Sequence, residues 1–390
     1  MKKHFLFTPG PSNVPPQVLE ALARPIVHHR SPDFDPIFAE CQKRLQTVFR
    51  TEHPVLIFAS SGTGAMEAAV AGVLSPGDTM IHIEGGKFGQ RWGDIGRAFG
   101  LSVVSLKVEW GTVATAAMVE EALKANPEAK AVYATLCETS AASLTDIEAI
   151  GKVVAKSEAV FGVDAISGLA ADVFKADEWG VDLAVGGSQK ALMLPPGLAF
   201  LAVSPKAAKL VETAKCPSYY FSVKKALKNL KDNTTAYTPA VSLIVGLNES
   251  LDMIEKEGLK NVWRRHGALA GALRAGGQSM GLEIFSKAPS NAVVAFNLPE
   301  GVTYKALSTK LRDDYGYTIA GGQDHLKGKI FRVAAMGYAD EKDVFSFLAV
   351  LEQVLVSLGY KMPAPGAGVA GALAALREAS AAQELAEAKA

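Results

Sequence analysis

The segment Asp182-Leu-Ala-Val-Gly-Gly-Ser-Gln-Lys-Ala-Leu-Met-Leu-Pro-Pro-Gly197 places a single lysine, Lys190, between a short apolar run and a Pro-Pro-Gly turn. Upstream, the apolar run Val160-Phe-Gly-Val-Asp164 ends on an aspartate. Short apolar runs bounded by turn residues are typical of strands buried in a parallel sheet. Ligands bind beyond the carboxyl ends of such strands, so Asp164 and Lys190 are expected to lie together there.

Strand-like runs alternate with helical apolar spacing over the first half of the chain. This alternation predicts an α/β domain built on a mostly parallel seven-stranded sheet with crossover helices. The predicted strands are Val55–Ala59, Thr79–Ile83, Val103–Lys107, Ala131–Thr135, Ala159–Asp164, Leu183–Gly186 and Ala199–Ser204.

The chain divides into four predicted parts. Residues 1–16 are Pro-rich and are expected to form an extended N-terminal arm. A large domain is predicted over residues 17–255, a small C-terminal α+β domain over residues 256–362, and an Ala-rich, partly helix-prone tail over residues 363–390. The elements expected in the small domain are strands at Ala292–Asn297 and Ile330–Ala334 and helices at Tyr304–Tyr315 and Glu341–Leu358.

Composition argues against several classes of partner. The 390 residues include 40 Lys and Arg and 40 Asp and Glu, so no basic stripe for a nucleic acid or a membrane surface is indicated. Cys41, Cys137 and Cys216 are far apart, so neither a metal site nor a disulfide framework is expected. Pro9 and Gly10 interrupt any apolar signal segment, and the protein is predicted to be cytoplasmic.

A lysine amine and a carboxylate at neighbouring strand ends are the two groups that pyridoxal 5′-phosphate (PLP) requires. The lysine forms a Schiff base with the cofactor, and the carboxylate keeps its pyridine nitrogen protonated. Each residue also has an ordinary explanation, because Lys190 could be a solvated lysine and Asp164 could cap a helix. The small and apolar residues around Lys190 favour the PLP site, since desolvation lowers the pKa of an amine.

Four further segments carry candidate ligands. Ser61-Gly62-Thr63, between a strand and a helix, could hold a phosphate, although helix capping is the commoner explanation for such a turn. Phe88 could lie flat on a planar ring or anchor a loop. Thr139 could donate to the cofactor's phenolic oxygen or be an ordinary turn hydroxyl. Arg332, within an apolar strand, needs a carboxylate partner, which a substrate or a structural salt bridge would supply equally well.

Several motifs occur together in a fixed order. They are Thr8-Pro-Gly-Pro-Ser-Asn-Val-Pro, His29-Arg-Ser-Pro-Asp-Phe, Ser61-Gly-Thr-Gly-Ala-Met-Glu-Ala, Asp94-Ile-Gly, Gly187-Ser-Gln-Lys-Ala-Leu, Pro195-Pro-Gly-Leu, Tyr237-Thr-Pro-Ala-Val and Phe331-Arg-Val. Over about residues 5–360 this order resembles the fold-type I PLP enzymes of the class V aminotransferase family. Within that family it is most similar to the alanine–glyoxylate and serine–glyoxylate (serine–pyruvate) aminotransferases.

The resemblance implies roles around the cofactor ring. Lys190 would form the Schiff base and shuttle the proton, while Asp164 would pair with the pyridine nitrogen. Phe88 would stack over the ring, Ile166 would pack beneath it, and Thr139 would contact the phenolic oxygen.

The resemblance also implies how the phosphate and the substrate are bound, partly across a homodimer. The phosphate ligands would be Ser61, Gly62, Thr63 and Gln189, together with Thr235 and Thr238 of the neighbouring subunit. The substrate ligands would be Arg332 for the carboxylate, together with His29 and Arg30 of the neighbouring subunit.

One loop departs from the family pattern. The usual Glu-Thr-Ser-Thr-Gly is here Glu138-Thr-Ser-Ala-Ala142, and Cys137 replaces a residue that is commonly polar. Thr139 is retained. The loss of the Thr-Gly end is expected to alter the shape of the loop or the substrate pocket.

The resemblance therefore implies a homodimeric PLP aminotransferase that uses alanine or serine as donor and glyoxylate or pyruvate as acceptor. One alternative is a PLP lyase or cysteine desulfurase, which would need a nucleophilic cysteine on a mobile loop. Cys216 is the only late cysteine, and its surroundings do not resemble such a loop. The other alternative is a non-catalytic partner protein, because related chains have carried the label of a soluble hydrogenase subunit.

Overall fold

The computed structural model describes residues 3–387 of the chain. Strands β1–β14 of this part run over Phe5–Leu6, Val55–Ala59, Thr79–Glu84, Ser102–Lys107, Ala131–Thr135, Cys137–Glu138, Ser143–Leu144, Val160–Asp164, Leu183–Gly187, Leu198–Val203, Val294–Asn297, Tyr317–Thr318, Ala320–Gly321 and Ile330–Val333. Helices α1–α13 run over Pro16–Leu22, Asp35–Phe49, Gly62–Ala71, Lys87–Ala98, Ala116–Ala125, Ile147–Val154, Pro205–Val211, Val223–Leu230, Val241–Glu257, Leu259–Ser279, Tyr304–Tyr315, Glu341–Ser357 and Ala367–Glu387.

Seven strands form the central sheet in the order β2-β10-β9-β8-β5-β3-β4. Strands β9, β8, β5, β3 and β4 pair in parallel, whereas β10 is antiparallel to both β9 and β2. Only β10 therefore opposes the common direction. The predicted mostly parallel seven-stranded sheet is confirmed, and each of its seven predicted strands matches an observed one to within one residue at either end.

The strands at the centre of the sheet are apolar on both faces because helices cover both faces. Every residue of β5, β8, β9 and β10 is buried. Alternate residues face opposite sides, so Val132 and Phe161 belong to one hydrophobic core and Tyr133 and Val160 to the other. This packing holds the carboxyl ends of the parallel strands at one edge of the sheet.

The C-terminal part is a smaller α+β layer, as predicted. Strands β11, β14 and β13 form an antiparallel sheet in that order. Its core contains Phe296, Phe331 and Phe347. The N-terminal arm belongs to this core, because β1 pairs in parallel with β12 and the ring of Phe7 stacks on Phe347 with centroids 4.3 Å apart.

The Ala-rich tail is helical over much of its length. Helix α13 packs against α10 and α12, and Ala372 and Leu376 are buried in the C-terminal core. The last three residues of the predicted tail, 388–390, lie outside the described residues. Between residues 3 and 387, no helix combines the length and the apolar character needed to cross a membrane.

Candidate active site

Loops from five strand ends of the central sheet converge on one pocket. The pocket holds about 400 Å³ of space, part of it open to solvent. Its lining residues are Ser61, Gly62, Thr63, Phe88, Arg91, Thr139, Asp164, Ile166, Ser167, Gln189 and Lys190. All of them except Arg91 and Ser167 were predicted from the sequence. They meet because the strands that precede them, β2, β3, β5, β8 and β9, run in one direction.

Lys190 lies on the loop between β9 and β10, and the N-terminal arm holds that loop. The hydroxyl of Ser12 donates to the carbonyl oxygen of Lys190 at 2.7 Å, and the Ser12 N–H donates to the carbonyl oxygen of Gln189 at 3.1 Å. The Lys190 amine donates to the carbonyl oxygen of Pro9. Residues expected to form only an arm therefore contact Lys190 and Gln189 directly.

A glycine is required at position 10, beside the Lys190 amine. Its φ is +105°, and a Cβ placed on it would lie 2.5 Å from Nζ of Lys190. Any other residue would be strained in this backbone conformation and would displace the amine. The arm therefore approaches Lys190 as closely as backbone atoms allow.

The two central ionisable groups have shifted pKa values. Burial lowers the pKa of Lys190 to about 8, and the Cys137 thiol and the Asp164 carboxyl oppose this shift. Burial raises the pKa of Asp164 to about 7, while the N–H of Ile166, which Asp164 accepts at 2.8 Å, opposes the shift. A lysine with this pKa is partly neutral near pH 8 and can act as a nucleophile.

The start of α3 forms another part of the pocket lining, through Ser61, Gly62 and Thr63. Ser61 occupies the N-cap position, yet its hydroxyl makes no capping bond to the helix. The capping explanation for this hydroxyl is therefore not observed. The first-turn N–H groups of a helix have no intrahelical partners and attract anions. Thr63 Oγ1 accepts a hydrogen bond from Arg91 at 3.0 Å.

Arg332 lies beside the pocket and reaches it through Thr139. Its Nη1 donates to the carbonyl oxygen of Thr139 at 2.7 Å, and its Nε and Nη2 donate to that of Gly321 at 2.9 and 2.7 Å. These contacts are with backbone carbonyls and not with a carboxylate. The Thr139 hydroxyl donates to Oγ of Ser167 at 2.6 Å.

Besides Arg332, four predicted residues do not line the Lys190 pocket of their own chain. Thr235 and Thr238 line a separate cavity of about 580 Å³ next to α2 and β2. His29 and Arg30 lie on the turn between α1 and α2, where Arg30 is exposed. Their action from a neighbouring subunit stays a prediction.

Two pocket residues were not singled out in the sequence. Arg91 follows Phe88 by one helical turn in α4, so a helix predicted from residue 87 onward would have placed both side chains on one face. Ser167 closes the Asp164-Ala-Ile-Ser segment but carries no local signal of its own. Helix geometry could have found Arg91, whereas Ser167 required the fold.

The pocket fits PLP on three observations. Lys190 and Asp164 face the same space with pKa values shifted by burial. The side-chain oxygen of Gln189 is buried without a hydrogen-bond partner among the described residues, as expected of a group that a ligand completes. The N-terminus of α3 provides N–H donors for a phosphate. Within residues 3–387 no group of three or more His, Cys, Asp or Glu side chains is placed to hold a metal ion.

Comparison with known proteins shows the family of this chain. The family model described as "Aminotransferase class-V" matches residues 4–345. The soluble hydrogenase 42 kDa subunit of Anabaena cylindrica is 40% identical, over 95% of this chain and 98% of its own. Serine–glyoxylate aminotransferase of Methylorubrum extorquens is 36% identical, over 96% of each chain.

A solved structure shares the fold. The alanine–glyoxylate aminotransferase of a Nostoc species superposes with a TM-score of 0.88 at 29% identity, over 91% of this chain and 96% of that one. The family match covers most of the chain, including every residue that lines the Lys190 pocket. The chain belongs to the class-V aminotransferase family and is a PLP-dependent aminotransferase.

Proposed function

We propose that this aminotransferase transfers an amino group from alanine or serine to glyoxylate, or to pyruvate, and that Lys190 is its Schiff-base residue. The observation that carries the residue assignment is the convergence of Lys190, Asp164 and the start of α3 on one pocket. The substrate assignment is supported by similarity to a serine–glyoxylate and an alanine–glyoxylate aminotransferase.

Each pocket residue that was predicted from the sequence has a defined task in this proposal. PLP, when bound, supplies an aldehyde that captures the amino acid and a ring that accepts electrons. Nζ of Lys190 removes the proton from the substrate Cα, and its pKa of about 8 keeps part of the amine neutral near pH 8. Asp164 would hold a proton at the pyridine nitrogen, and Phe88 and Ile166 would lie against the ring. Thr139 would turn its hydroxyl from Ser167 to the phenolic oxygen.

The phosphate and the substrate carboxylate are assigned to opposite ends of the pocket. Ser61, Gly62, Thr63 and Gln189 bind the phosphate. Arg332 binds the substrate carboxylate, since its guanidinium is held beside Thr139 at the pocket. The closeness of Gly10 and Pro9 to Lys190 supports a small donor, because little room is left beside the amine.

We also propose a cytoplasmic homodimer in which each subunit completes the other's site. Thr235 and Thr238 would then reach the partner's phosphate, and His29 and Arg30 its substrate. This is supported by the position of all four outside their own Lys190 pocket. The domain limits 17–255 and 256–362 belong to the same proposal. All three cysteines are free thiols, which agrees with a reducing compartment.

The test is an absorbance titration of the purified protein with PLP. A visible band should form, bleach on addition of L-alanine or L-serine, and return with glyoxylate. L-aspartate serves as a donor with a second carboxylate, and equal bleaching by aspartate would overturn the small-donor assignment. A Lys190→Ala variant should give no band characteristic of a protein-bound cofactor.

The two alternatives predict different results in that titration. A partner subunit without catalytic function would form no band even when folded. A desulfurase would release sulfide from L-cysteine and would need Cys216, which is buried and does not line the Lys190 pocket. Burial also raises the pKa of the Cys216 thiol, which disfavours the nucleophilic thiolate.

A further inference from the structure

Helix α4 carries Phe88 and Arg91 into the pocket, and its own sequence supplies no cap. Its N-cap residue is Gly86, which has no side chain to accept a hydrogen bond. The N–H groups of the first helical turn therefore need acceptors from elsewhere. Glu138, 50 residues after Phe88, supplies them from the loop that follows β5.

The Glu138 side chain is buried and binds the start of α4 directly. Its Oε2 accepts the N–H of Gly89 at 2.8 Å and that of Phe88 at 3.2 Å. Its Oε1 accepts the hydroxyl of Ser140 at 2.5 Å, and that hydroxyl accepts the N–H of Lys87 at 3.0 Å. The first three N–H groups of α4 are thus bound by Glu138 and Ser140, which we call the Glu138 clamp.

Two neighbouring residues, Gly86 and His82, restrict where the Glu138 carboxylate and the start of α4 can lie. A Cβ on Gly86 would lie 2.3 Å from the carboxyl carbon of Glu138, so only glycine allows the carboxylate this close. From the sheet side, Nδ1 of His82 is 3.0 Å from the carbonyl oxygen of Gly89. The start of α4 is therefore held from two directions.

The same loop also contacts the other side of the site. Between Glu138 and Ser140, the carbonyl oxygen of Thr139 accepts Nη1 of Arg332 at 2.7 Å. Three consecutive residues thereby connect the helix that carries Phe88 with the arginine assigned to the substrate. Burial raises the pKa of Glu138, and the hydrogen bonds it accepts from Ser140, Gly89 and Phe88 oppose that shift. The carboxylate also lies at the positive end of the α4 dipole, which likewise favours its charged form.

We propose that Glu138 is a positioning residue of the active site: through the first turn of α4 it sets the position of Phe88 against the cofactor ring. This inference rests on the proposed PLP site at Lys190. A residue with a purely structural role would change the stability of the fold and leave the optical properties of bound PLP unchanged.

The first test uses Glu138→Gln, which keeps the side-chain volume but places an amide donor among N–H donors. We expect PLP to bind about tenfold to a hundredfold more weakly. The visible circular dichroism per bound PLP should also change, because it reports the asymmetry of the ring's surroundings. Glu120→Gln is the matched control, since Glu120 lies on α5, does not line the pocket, and pairs with Lys124 at 3.0 Å. It should match the wild type in both measurements.

A double-mutant cycle then asks whether the effect passes through Phe88. Glu138→Gln should change the circular dichroism strongly in the wild-type background and little in a Phe88→Ala background. Ser140→Ala is measured in parallel, and its smaller change in the same direction carries the test if Glu138→Gln does not fold.

Three results would overturn the proposal. They are wild-type affinity and circular dichroism in folded Glu138→Gln, the same in Ser140→Ala if Glu138→Gln does not fold, and a Glu138→Gln effect that persists without the Phe88 ring. Failure of the wild type to bind PLP would overturn the Lys190 site itself. The wild-type titration therefore separates the two proposals.

Discussion

Asp164 and Asp172 are buried carboxylates eight residues apart, and burial raises the pKa of both. Asp172 accepts the Ser290 hydroxyl at 2.7 Å on one oxygen and the Asn291 N–H at 2.8 Å on the other. Asp164 accepts the Ile166 N–H on one oxygen and lines a pocket. Neither burial nor the direction of the pKa shift distinguishes them.

The two residues differ in what fills their capacity to accept hydrogen bonds. The protein itself occupies both oxygens of Asp172, which joins the segment after β8 to the loop before β11. Arg274 reinforces that junction by donating to the Ser290 carbonyl oxygen at 2.9 Å. A carboxylate that has an oxygen without a protein donor and faces a pocket can bind a ligand. A carboxylate with a protein donor on each oxygen instead stabilises the fold.

The largest expected effect is on catalysis by Asp164→Asn. An amide cannot hold the cofactor nitrogen protonated as a carboxylate does, so kcat should fall by about 10²- to 10⁴-fold. Steady-state assays at saturating PLP measure this fall. Asp172→Asn is the matched variant, and its kcat should stay within a few-fold of the wild type at a temperature where it is folded. A comparable loss of kcat in both variants would remove the distinction.

The second effect is on the pH dependence of apo-protein stability. Because the folded-state pKa of Asp164 is raised from 3.8 to about 7, the folded state binds more protons than the unfolded state between these values. The Asp164 contribution therefore falls as pH rises through this window and remains lost above it. Three pKa units correspond to at most about 4 kcal/mol. Asp164→Asn should be more stable than the wild-type apo-protein at pH 8 by up to this amount, and denaturation with and without PLP would show the advantage reversing on cofactor binding.

The third effect is on the folding stability of Asp172→Asn. The amide nitrogen would face the Asn291 N–H or the Ser290 hydroxyl, leaving a buried donor without an acceptor. Burial raises the pKa of both carboxylates, so both substitutions relieve a buried charge, and Asp172→Asn alone also loses a hydrogen bond within the protein. The free energy of unfolding of Asp172→Asn should therefore be about 1–3 kcal/mol below that of Asp164→Asn. Urea denaturation of both variants at pH 7.5 measures this difference, and equal stabilities would show that the Asp172 hydrogen bonds contribute little.

The smallest effect concerns the loop that departs from the family pattern. Ala142, at the position of the usual glycine, adopts φ +56°, whereas Ala141 has no positive φ, and both are buried. Since left-handed backbone costs a non-glycine residue about 1–2 kcal/mol, Ala142→Gly should be more stable than Ala141→Gly by about that difference. Thermal denaturation of the two variants tests it. Equal stabilities would contradict the strain at Ala142.

The same loop shows which of its features the sequence pattern predicted and which it did not. The replacement of the usual glycine was visible in the sequence and suggested an altered loop. The structure shows left-handed backbone at Ala142, whose carbonyl oxygen accepts the Ser290 N–H at 3.1 Å. That bond joins residues 148 positions apart, and a local sequence pattern cannot predict a contact over such a separation. An altered loop or substrate pocket relative to the family stays a prediction.

Local spacing alone was sufficient for the seven central strands, for Asp164 at a strand end and for Lys190 on the next loop. Apolar runs of strand length bury themselves in only a few ways, and parallel strands bring their carboxyl ends to one edge. Lys190 and Asp164 suggested the cofactor, and family resemblance supplied the roles of the other matching residues. Three features depend on residues that are distant in the chain. They are the contacts of Ser12 and Pro9 with Lys190, the Glu138 clamp, and the hydrogen bonds on both oxygens of Asp172. Their geometry exists only after the hydrophobic cores have packed, since a side chain acquires a distant partner only when the backbone that carries each is fixed.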